Sequence, residues 1–458
     1  MSGQNDPASG YSRRWQGQTE NLTTSISANF AGPFNSRMRR QNRKIAETLA
    51  RPRVVCVLTS SLGLGFLRGQ LAYLREAGYD VTVVSSPGDE LTRAGQVEGM
   101  QIVPIQIARE VSPLRDLISL WQLWRLMRRL RPSITNVGTP KAGLLGGLAA
   151  FLAAVPCRFY TLRGLRLETT SGIQRLILLL AERLACRCAH RVICVSESLR
   201  QMAVALGLVS RRQTLVLGSG SSNGVDLSQF ELDQTERRKV SELRSNLGIP
   251  PTAPVVGFVG RFTRDKGIAE LLQAFSILRE RLPELRLLLV GDVEEGDPPS
   301  SDVLQRIKTD PNIVCPGFVA DPALHYYLMD VLALPTHREG FPNVVLEANA
   351  AGKPAVATGA TGAVDSIIDG VTGTIVPAGN IVALANGLAG LLENPALARE
   401  MGENARKRVT AEFQPEQIWS GLLSEYQSQL QARGIRPPSA LVRAAERDHA
   451  AQTEASLL

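Results

Sequence analysis

The stretch RVVCVLTSSLGLGFLRGQLAYLREAGYDVTVVSSP, residues 53–87, decides the fold. It opens with a continuous apolar run rich in β-branched residues, which is typical of a buried parallel strand. A predicted helical face of Phe66, Leu67, Leu71 and Leu74 follows. Gly78 ends this helix, and DVTVVSS is a second strand. The stretch therefore predicts a strand–helix–strand unit, the repeating element of a parallel α/β sheet.

The same alternation continues along the chain. In the first half, predicted helices at 114–130, 141–154, 172–189 and 196–206 alternate with the strands SITNVG, CRFYTLRG, RVICVS and TLVLGSG. After a turn-rich joint at 220–230, predicted helices at 267–281, 300–308, 322–329, 343–351 and 380–392 alternate with PVVGFVGRF, LRLLLVGD, NIVCPGFV, DVLALPT, KPAVATGA and GTIVPAG. Two such halves predict an α/β fold class with two Rossmann-like, doubly wound domains. Ligands of these sheets bind at the carboxyl ends of the strands, so we expect a site in the cleft between the domains.

Composition places the chain among globular proteins of more than one domain. Its 458 residues exceed what one hydrophobic core holds, and 44% are hydrophobic while 21% are charged. An aromatic content of 5% argues against an aromatic-lined nucleic-acid platform. The net charge of +8 suits an anionic ligand, a nucleic acid or an anionic membrane surface, and does not decide among them.

Metal, disulfide and targeting signals are weak. The six cysteines include no C-x-x-C pair and the four histidines are scattered, so we expect mostly buried, reduced thiols in a cytosolic protein and no zinc site. The acidic stretch GDVEEGDP, residues 291–298, is interpreted as a solvated loop and not as a metal site. The N-terminus lacks the apolar core of a secretory signal. The longest apolar stretch, 142–156, is short for a membrane span and predicts a buried helix.

Two glutamates frame the segment HREGFPNVVLEANAAGKP, residues 337–354. Glu339 lies in a loop after a strand, and Pro342 suits the first turn of a helix that begins near Asn343. The free backbone N–H groups of that turn form a site for a phosphate or a sugar hydroxyl. Glu347 lies on the same helical face as Asn343, where its carboxylate can accept two hydrogen bonds from a ribose diol. The alternative is a partly buried helix acid and a solvated loop acid.

A second cluster lies in FVGRFTRDKGIAELLQAF, residues 258–275. Arg261 leaves a strand end, and Lys266 with Gly267 opens a helix. Two cations at a strand-to-helix loop suit a diphosphate, since arginine offers a fork and lysine a point charge. The alternative is a solvated basic loop, but the coincidence of this cluster with the two glutamates favours a site.

These motifs together resemble the retaining GT-B glycosyltransferases of family 4, the glycosyl transferases group 1. The resemblance rests on GRFTRDKG, on the two-glutamate segment REGFPNVVLEANAAGKPAVAT and on NGVD followed by Phe230, and it covers about residues 52–430. More narrowly, TPKAGLLGGLAA, YTLRGLRLE and GSGSSNGVD are similar to bacterial transferases of capsule, exopolysaccharide and lipid-linked oligosaccharide assembly. The resemblance implies a GT-B fold, with an acceptor-binding domain at 49–225 and a donor-binding domain at 226–412 facing a cleft.

The resemblance also implies roles for the matching residues on the donor side. Arg261 and Lys266 would hold the donor diphosphate and offset charge on the departing nucleotide. Glu339 would contact the donor sugar and completes the predicted catalytic set, while Glu347 would bind the ribose. The backbone that would cradle sugar and phosphate comprises Gly340, Phe341, Pro342, Asn343 and Val344, with Pro342 contributing no amide. The backbone near Phe318 and Val319 would meet the nucleobase.

The N-terminal half is predicted to bind the acceptor. Gly63 and Gly65 lie in the strand-to-helix loop SSLGLGF, for which tight-turn packing is the alternative, and Lys141 lies in the loop TPKAG. Relatives often carry a histidine near the reacting centre, whereas the corresponding loop here, TLRGLRLE, contains Arg163 and Arg166. No general base is therefore assigned. Enzymes of this class are usually thought to react on one face without a protein nucleophile, the departing phosphate oxygens taking the acceptor proton.

The segment PLRDLISLWQLWRLMRRLRPS, residues 113–133, predicts a basic amphipathic helix. Its apolar stripe of Leu120, Trp121 and Trp124 adjoins Arg125, Arg128, Arg129 and Arg131. One interpretation is a core-facing helix with a solvated basic side. The other is contact with a membrane that carries a lipid-linked acceptor, assisted or not by the basic cluster at 37–44.

We therefore predict a retaining hexosyltransferase that moves a hexose or N-acetylhexosamine from a nucleotide diphosphate sugar, UDP-linked, to a lipid-linked sugar acceptor in surface polysaccharide or glycan assembly. We expect no metal or other cofactor, no nucleic-acid partner, and a cytoplasmic location on the inner face of the membrane. The alternatives are a nucleotide-sugar epimerase or phosphorylase on the same scaffold, or a basic membrane or nucleic-acid binding module. Residues 1–48 are predicted to be a disordered tail, 413–432 a helix crossing back to the N-terminal domain, and 433–458 a flexible tail.

Overall fold

The computed structural model describes residues 51–97, 100–108, 112–294 and 296–438. The predicted tail at 1–48 and most of the predicted tail at 433–458 lie outside the described residues. From Pro52 onward the described residues belong to one compact unit that contains two parallel sheets. The prediction of an α/β fold with two doubly wound domains is confirmed.

The first sheet belongs to the N-terminal domain and is parallel throughout. Its strands are β1 Arg53–Val57, β2 Asp80–Ser85, β3 Gln101–Pro104, β4 Ile134–Gly138, β5 Cys157–Leu162, β6 Arg191–Cys194 and β7 Thr214–Leu215. Its helices are α1 Gln70–Glu76, α2 Asp89–Val97, α3 Pro113–Leu130, α4 Pro140–Leu152, α5 Gly172–Cys188 and α6 Glu197–Ala205. The strand order is β3-β2-β1-β4-β5-β6-β7.

The second sheet belongs to the C-terminal domain, which α7 Gln234–Asn246 precedes. Its strands are β8 Val255–Val259, β9 Arg286–Val290, β10 Ile313–Gly317, β11 Val331–Leu334, β12 Ala355–Thr358 and β13 Gly373–Val376. Its helices are α8 Ile268–Arg281, α9 Ser301–Thr309, α10 Ala323–Tyr327, α11 Asn343–Ala350, α12 Ala363–Ser366 and α13 Ile381–Leu392. The strand order is β10-β9-β8-β11-β12-β13.

Both sheets reverse their strand order at an internal point, and this positions the site. The reversal lies between β1 and β4 in the first sheet and between β8 and β11 in the second. Loops that leave the carboxyl ends of two such strands diverge to opposite faces and open a crevice. Arg261 and Lys266 follow β8, and Glu339 follows β11, so the predicted donor residues flank the second reversal.

The last two helices, α14 Pro395–Glu412 and α15 Pro415–Gln431, return the chain to the first domain. The buried residues Ile418, Leu422, Tyr426 and Leu430 recur every four positions along α15. This face packs against α1 and β5, where the Tyr426 and Phe159 ring centroids are 4.7 Å apart. Asn136 Nδ2 donates a hydrogen bond of 2.8 Å to the Tyr426 hydroxyl. A helix that follows the C-terminal domain in sequence therefore contributes to the core of the N-terminal domain.

Several elements differ from the sequence expectations, including the short helix α12, which was not expected. The single helix expected over Phe66–Leu74 is a 3₁₀ helix, Ser61–Leu67, followed by α1, because the backbone turns at Gly69 with a φ of 77°. Phe66 is consequently 42% exposed and does not join the helical face. Helix α2 and edge strand β3 were not expected, and neither was α7. No residue of β3 is buried, and α7 likewise contains no buried residue.

Two expectations about apolar segments can be compared with the structure. The stretch 142–156 forms most of α4, whose glycine and alanine face is buried. Among the described residues no single helix is long and apolar enough to cross a membrane. One pair of helical segments, α13 and Pro395–Gln431, is long and apolar enough by length and composition alone, but it is bent by 96°. Five of the six cysteines are buried, and Cys315 is exposed.

Candidate functional site

The Lys266 ammonium and the Glu339 carboxylate form an ion pair at the second strand reversal. Their side chains are only 16% and 12% exposed. Two hydrogen bonds to one carbonyl oxygen hold the loops together. The Thr336 hydroxyl donates to the Asp265 carbonyl oxygen at 3.1 Å, and the His337 amide donates to the same oxygen at 2.8 Å. The structure thus brings together two residues of the predicted catalytic set that lie 73 positions apart in sequence.

Gly267 makes this approach possible. Its φ is 71°, a left-handed conformation that favours glycine, and a Cβ there would collide with the carbonyl oxygen of Pro335. Any other residue would push the β8–α8 loop away from the end of β11. The glycine of the DKG motif therefore sets the distance between Lys266 and Glu339.

Asp265 and Arg338 support this pair and were missed as site residues, although both lie inside the quoted motifs. The Asp265 carboxylate accepts a hydrogen bond of 2.5 Å from Thr263 Oγ1. It also forms an ion pair with Arg338, with 2.6 Å between Oδ2 and Nη2. Burial alone would raise the pKa of Asp265, but the Thr263 hydroxyl and the nearby cations, Arg338 first, outweigh it and lower the pKa. Asp265 thereby anchors the Arg338 side chain, whose Nε also donates to Thr169 Oγ1 of the N-terminal domain at 3.0 Å.

Glu347 lies one turn into α11 and accepts a hydrogen bond of 2.5 Å from the Tyr326 hydroxyl. Tyr326 is fully buried, and the half-buried Glu347 lines a cavity of about 610 Å³. Burial raises the pKa of Glu347, the Tyr326 hydrogen bond lowers it and the charge of Asp321 adds to the rise. Tyr326 lies 21 residues upstream, on α10, and no local sequence signal connects it to Glu347.

The cavity lies between the two domains. Its walls include Gly65, Arg68 and residues 223–230 on one side, and Asp321, Asn343 and Glu347 on the other. Phe318 and Val319 are not among its lining residues. The chain just after them, at 321–323, lines the cavity instead, and Phe318 is 74% exposed at the end of β10.

Arg261, which follows β8 as the sequence suggested, pairs with an acidic residue in the structure. Its guanidinium forms an ion pair with Glu294, in the acidic loop that follows β9. Arg264 pairs with Asp297 of the same loop at 3.2 Å, so this loop is tied to the β8–α8 loop and is not merely solvated. Arg261 itself is 57% exposed. The acidic loop therefore partly balances the charge of the basic cluster.

The predicted backbone cradle, from Gly340 to Val344, is where the domains touch. Ser196 Oγ donates to the Gly340 carbonyl at 2.7 Å, and Ser221 Oγ donates to Asn343 Oδ1 at 3.0 Å. Phe341 is buried and packs against Phe413 with 5.5 Å between ring centroids. Pro342 precedes the first turn of α11, as the sequence suggested, and Val344 is half-buried.

A second interdomain contact lies beside it. Asp365 accepts a hydrogen bond of 3.1 Å from the Ser198 amide in the first turn of α6, and it also accepts one from the Ser198 hydroxyl. The Gly362 amide donates to the same hydroxyl at 2.7 Å. A carboxylate from one domain therefore caps a helix of the other, which favours the closed arrangement of the cleft.

The residues of the N-terminal domain that were predicted to bind the acceptor occupy different environments in the structure. Gly65 lines the cavity, while Gly63 is buried in the 3₁₀ helix and packs near Leu58, so tight-turn packing describes Gly63. The Lys141 ammonium lies 2.8 Å from Asp116 Oδ1 on α3. Lys141 is therefore engaged within its own domain.

Arg163 lies at the carboxyl end of β5, beside the Glu339 loop. Its backbone oxygen approaches Gly340, and its guanidinium lies between Gly138 and the ring of Phe66, 5.4 Å from the ring centroid. Nε and Nη1 are buried and have no hydrogen-bond partner among the described residues. Burial lowers the pKa of Arg163 to about 10. A buried cation without a carboxylate partner is costly unless a ligand supplies the negative charge.

Comparison with protein-family models finds a match in each half of the chain. Residues 66–220 match the glycosyl transferase 4-like domain, and residues 239–408 match the glycosyl transferases group 1 model.

Known proteins extend this likeness over most of the chain. The capsular polysaccharide biosynthesis glycosyltransferase CapM of Staphylococcus aureus is 39% identical, covering 81% of this chain and 95% of the relative. The UDP-Gal:alpha-D-GlcNAc-diphosphoundecaprenol alpha-1,3-galactosyltransferase of Escherichia coli is 26% identical, covering 67% and 78%. The crystal structure of Anabaena HepE in complex with UDP and glucose superimposes with a TM-score of 0.69 at 23% identity, covering 82% of this chain and 100% of that chain.

Proposed function

Since the chain belongs to the glycosyl transferases group 1 and is a glycosyltransferase of the GT-B fold, we propose that it moves a hexose or N-acetylhexosamine from a UDP-linked donor to a lipid-linked sugar. The family, the fold class and the enzyme class that the sequence predicted are confirmed. The epimerase, phosphorylase and pure binding-module alternatives are thereby set aside. The observation that carries the proposal is the Lys266–Glu339 pair at the strand reversal, next to the cavity that Glu347 lines.

On the donor side, each charge at the site has a complementary group in a nucleoside diphosphate sugar. Lys266 and Arg261 offset the diphosphate charge, most of all as the leaving group departs. Glu347 accepts hydrogen bonds from the ribose diol, and Glu339 accepts them from the sugar hydroxyls. When donor binds, its phosphate oxygens replace Glu339 as the partner of Lys266. The carboxylate is then available to the sugar.

The reaction proceeds with retention at the anomeric carbon. Glu339 and Glu347 are both engaged in binding contacts, which makes either a poor nucleophile. Retention without a protein nucleophile requires the acceptor hydroxyl to attack on the face from which the diphosphate leaves, and a departing phosphate oxygen takes its proton. No metal is required, since Lys266 and Arg261 supply the positive charge.

The acceptor binds on the N-terminal side of the cleft, near Gly65 and Arg163. The E. coli relative, by its name, acts on a sugar linked to diphosphoundecaprenol, and CapM serves capsular polysaccharide biosynthesis. A lipid-linked sugar diphosphate is accordingly the proposed acceptor, and surface polysaccharide or glycan assembly the setting. The enzyme then works in the cytoplasm at the inner face of the membrane.

A panel of nucleotide sugars tests this function directly. The protein is incubated with UDP- and GDP-linked hexoses and N-acetylhexosamines, alone and with an undecaprenyl diphosphate sugar, and free nucleoside diphosphate is measured. We expect release of UDP that depends on the acceptor, is insensitive to EDTA, and yields a product with the anomeric configuration of the donor. Inversion, or release of GDP alone, would overturn the corresponding part of the proposal.

A further inference from the structure

Helices α3, α4 and α5 expose an unusual concentration of apolar side chains. Among the described residues, eighteen large hydrophobic side chains are exposed, and eleven lie here: four on α3, two at the end of α4 and five on α5. The helices pack side by side in the order α3-α4-α5 on one face of the first sheet. We call this surface the three-helix face. Such a concentration on one side of a globular domain marks an interaction surface.

Helix α5 forms the most exposed part of the three-helix face. Residues 172–177, its first turn and a half, are exposed on every side, so the start of the helix projects from the domain. Ile173 is 79% exposed, and Leu176 and Ile177 are 53% exposed. A projecting helix start with three aliphatic side chains is unfavourable in water and favourable in a lipid interface.

The charge of the three-helix face has one sign. Among the described side chains, its two acids are both engaged: Asp116 pairs with Lys141 at 2.8 Å, and the buried Glu182 accepts a 2.8 Å hydrogen bond from Tyr160. The remaining charged side chains are all arginines, on α3 and α5. One of them, Arg125, lies 5.3 Å from the ring centroid of the exposed Trp121. Aliphatic and tryptophan side chains with a rim of arginines match the interface of an anionic bilayer.

The topology places this surface next to the cleft. In a parallel sheet the helix after each strand starts at the carboxyl edge, which is also the edge where the site lies. The first turns of α3 and α5 carry Leu114 and Ile173, each 79% exposed. The loop that leads into α5 begins at Arg163. A lipid tail seated at these turns would bring its diphosphate sugar towards Arg163.

We propose that the three-helix face docks on the surface of an anionic phospholipid membrane, with the start of α5 inserted among the headgroups. The inference deepens the proposed function and rests on it for the lipid-linked acceptor, but the docking itself does not require catalysis. A second copy of the chain fits less well, because a two-fold contact would oppose arginine to arginine with no free acid between them. The sequence drew attention to the tryptophans and arginines of the α3 segment and to the basic cluster at 37–44, whereas the exposed apolar residues of the structure make α5 the centre of the contact.

Vesicle co-sedimentation of the full chain, without donor or acceptor, tests the proposal. The vesicles are pure phosphatidylcholine, or phosphatidylcholine with about a third phosphatidylglycerol. The test variant carries Ile173→Ser, Leu176→Ser and Ile177→Ser. A matched control carries Ile368→Ser, Val371→Ser and Val382→Ser, three exposed apolar residues of the C-terminal domain. All six positions are on the surface, so the core of each variant stays intact.

We expect wild type and control to bind the anionic vesicles at least tenfold more tightly than the test variant. A second variant, Arg125→Gln, Arg128→Gln and Arg129→Gln, should lose at least tenfold on anionic vesicles only, since each cation near such a surface contributes about fivefold. Its control, Lys308→Gln, Arg399→Gln and Lys407→Gln, has the same net charge and should bind as wild type does. Equal binding by the test variant and its control would overturn the proposal. So would a wild type that ignores vesicles, or a dimer that the serine variant dissociates without any change in vesicle binding.

Transfer to a water-soluble, short-chain diphosphate sugar separates this inference from the proposed function. The serine variant should keep wild-type transfer to the short-chain acceptor and lose transfer to a long-chain acceptor in vesicles. If wild type binds vesicles but transfers to neither acceptor, the proposed function fails and the docking surface stands. If the serine variant transfers to both acceptors as wild type does, the docking surface fails and the function stands.

Discussion

The Tyr326 hydroxyl donates a hydrogen bond of 2.5 Å to Glu347 Oε2. The phenol comes from α10 and the carboxylate from α11, so the bond fixes the orientation of Glu347 relative to the cavity that it lines. Within the part of the chain that the structure describes, Tyr326 is the hydrogen-bond donor to this side chain and uses one carboxylate oxygen, which leaves the other to accept from a ligand. Tyr326 is thus a positioning residue for the proposed ribose contact.

Tyr326→Phe should raise KM for the donor by about tenfold and leave kcat nearly unchanged, because a hydrogen bond to a charged group is lost while the chemistry is untouched. Glu347→Ala should lower kcat/KM by about a hundredfold or more, since the ribose contact itself disappears. Initial rates over a range of donor concentrations, with calorimetric titration of UDP, measure both effects. The matched control is Tyr327→Phe, whose hydroxyl donates at 2.7 Å to the Phe230 carbonyl. Equal donor KM in the two tyrosine variants would contradict the positioning role.

Lys266→Met should lower kcat by about 100- to 1000-fold, the usual effect of losing one preorganised charge at a leaving group. The substitution also leaves the Glu339 carboxylate without its Lys266 partner, so the free energy of unfolding falls as well. The double variant Lys266→Met with Glu339→Gln removes both charges and should recover the thermal midpoint without recovering activity. Arg264→Met, on the same loop but 74% exposed, serves as the control and should stay active. Recovery of transfer in the double variant would show that the pair is only structural.

The architecture was predictable because a buried parallel strand is an apolar run whichever domain it belongs to. The RVVCV and VVGFV runs are fully or almost fully buried, as their sequences suggest. The proposed donor loops were found for a related reason: a glycine, a proline and charged residues at strand ends signal a strand-to-helix turn. Once the two α/β halves are recognised, the sequence also predicts that Lys266 and Glu339 lie in loops after different strands of the same sheet. These strands, β8 and β11, flank the reversal of strand order.

The contact partners of the predicted site residues could not be predicted from the sequence, because these contacts depend on how neighbouring loops and helices meet in space. Tyr326 reaches Glu347 from a different helix, and Arg261 pairs with Glu294 across two strand ends. The three-helix face is a second case. The apolar residues of α5 have the spacing of a core helix, and only the structure shows that Ile173 and Leu176 face outwards.

Glu182→Gln should stabilise the fold at neutral pH and not in acid. Burial raises the pKa of Glu182 to about 7, although the Tyr160 hydroxyl lowers it in part. The folded state therefore keeps a proton that the unfolded chain releases from about pH 4.5 upwards, so the free energy of unfolding falls as pH rises from about 4.5 to 7. At pH 8 the variant should gain up to about 3 kcal/mol, and near pH 4 nothing. Urea denaturation across this range measures the effect, with the exposed Glu280→Gln as control. A gain independent of pH would contradict the assignment.

Arg163→Met should abolish most transfer without weakening the fold. The buried Nε and Nη1 atoms have no partner among the described residues, so removing the charge leaves no other group unpaired. The methionine side chain can still pack on Phe66. We expect the free energy of unfolding to stay the same or rise by about 1 kcal/mol, because an uncompensated buried cation is lost.

The same variant separates the acceptor from the donor. If Arg163 takes the negative charge of the acceptor diphosphate, KM for the acceptor should rise by about a hundredfold while UDP affinity stays at the wild-type value. Arg163→Lys keeps the charge but loses the planar guanidinium over Phe66. Its KM for the acceptor should lie between the values of wild type and of Arg163→Met. Arg166→Met, exposed on the same loop, is the matched control. A parallel loss of UDP affinity would move Arg163 to the donor, and an unchanged acceptor KM with lower stability would make it a structural residue.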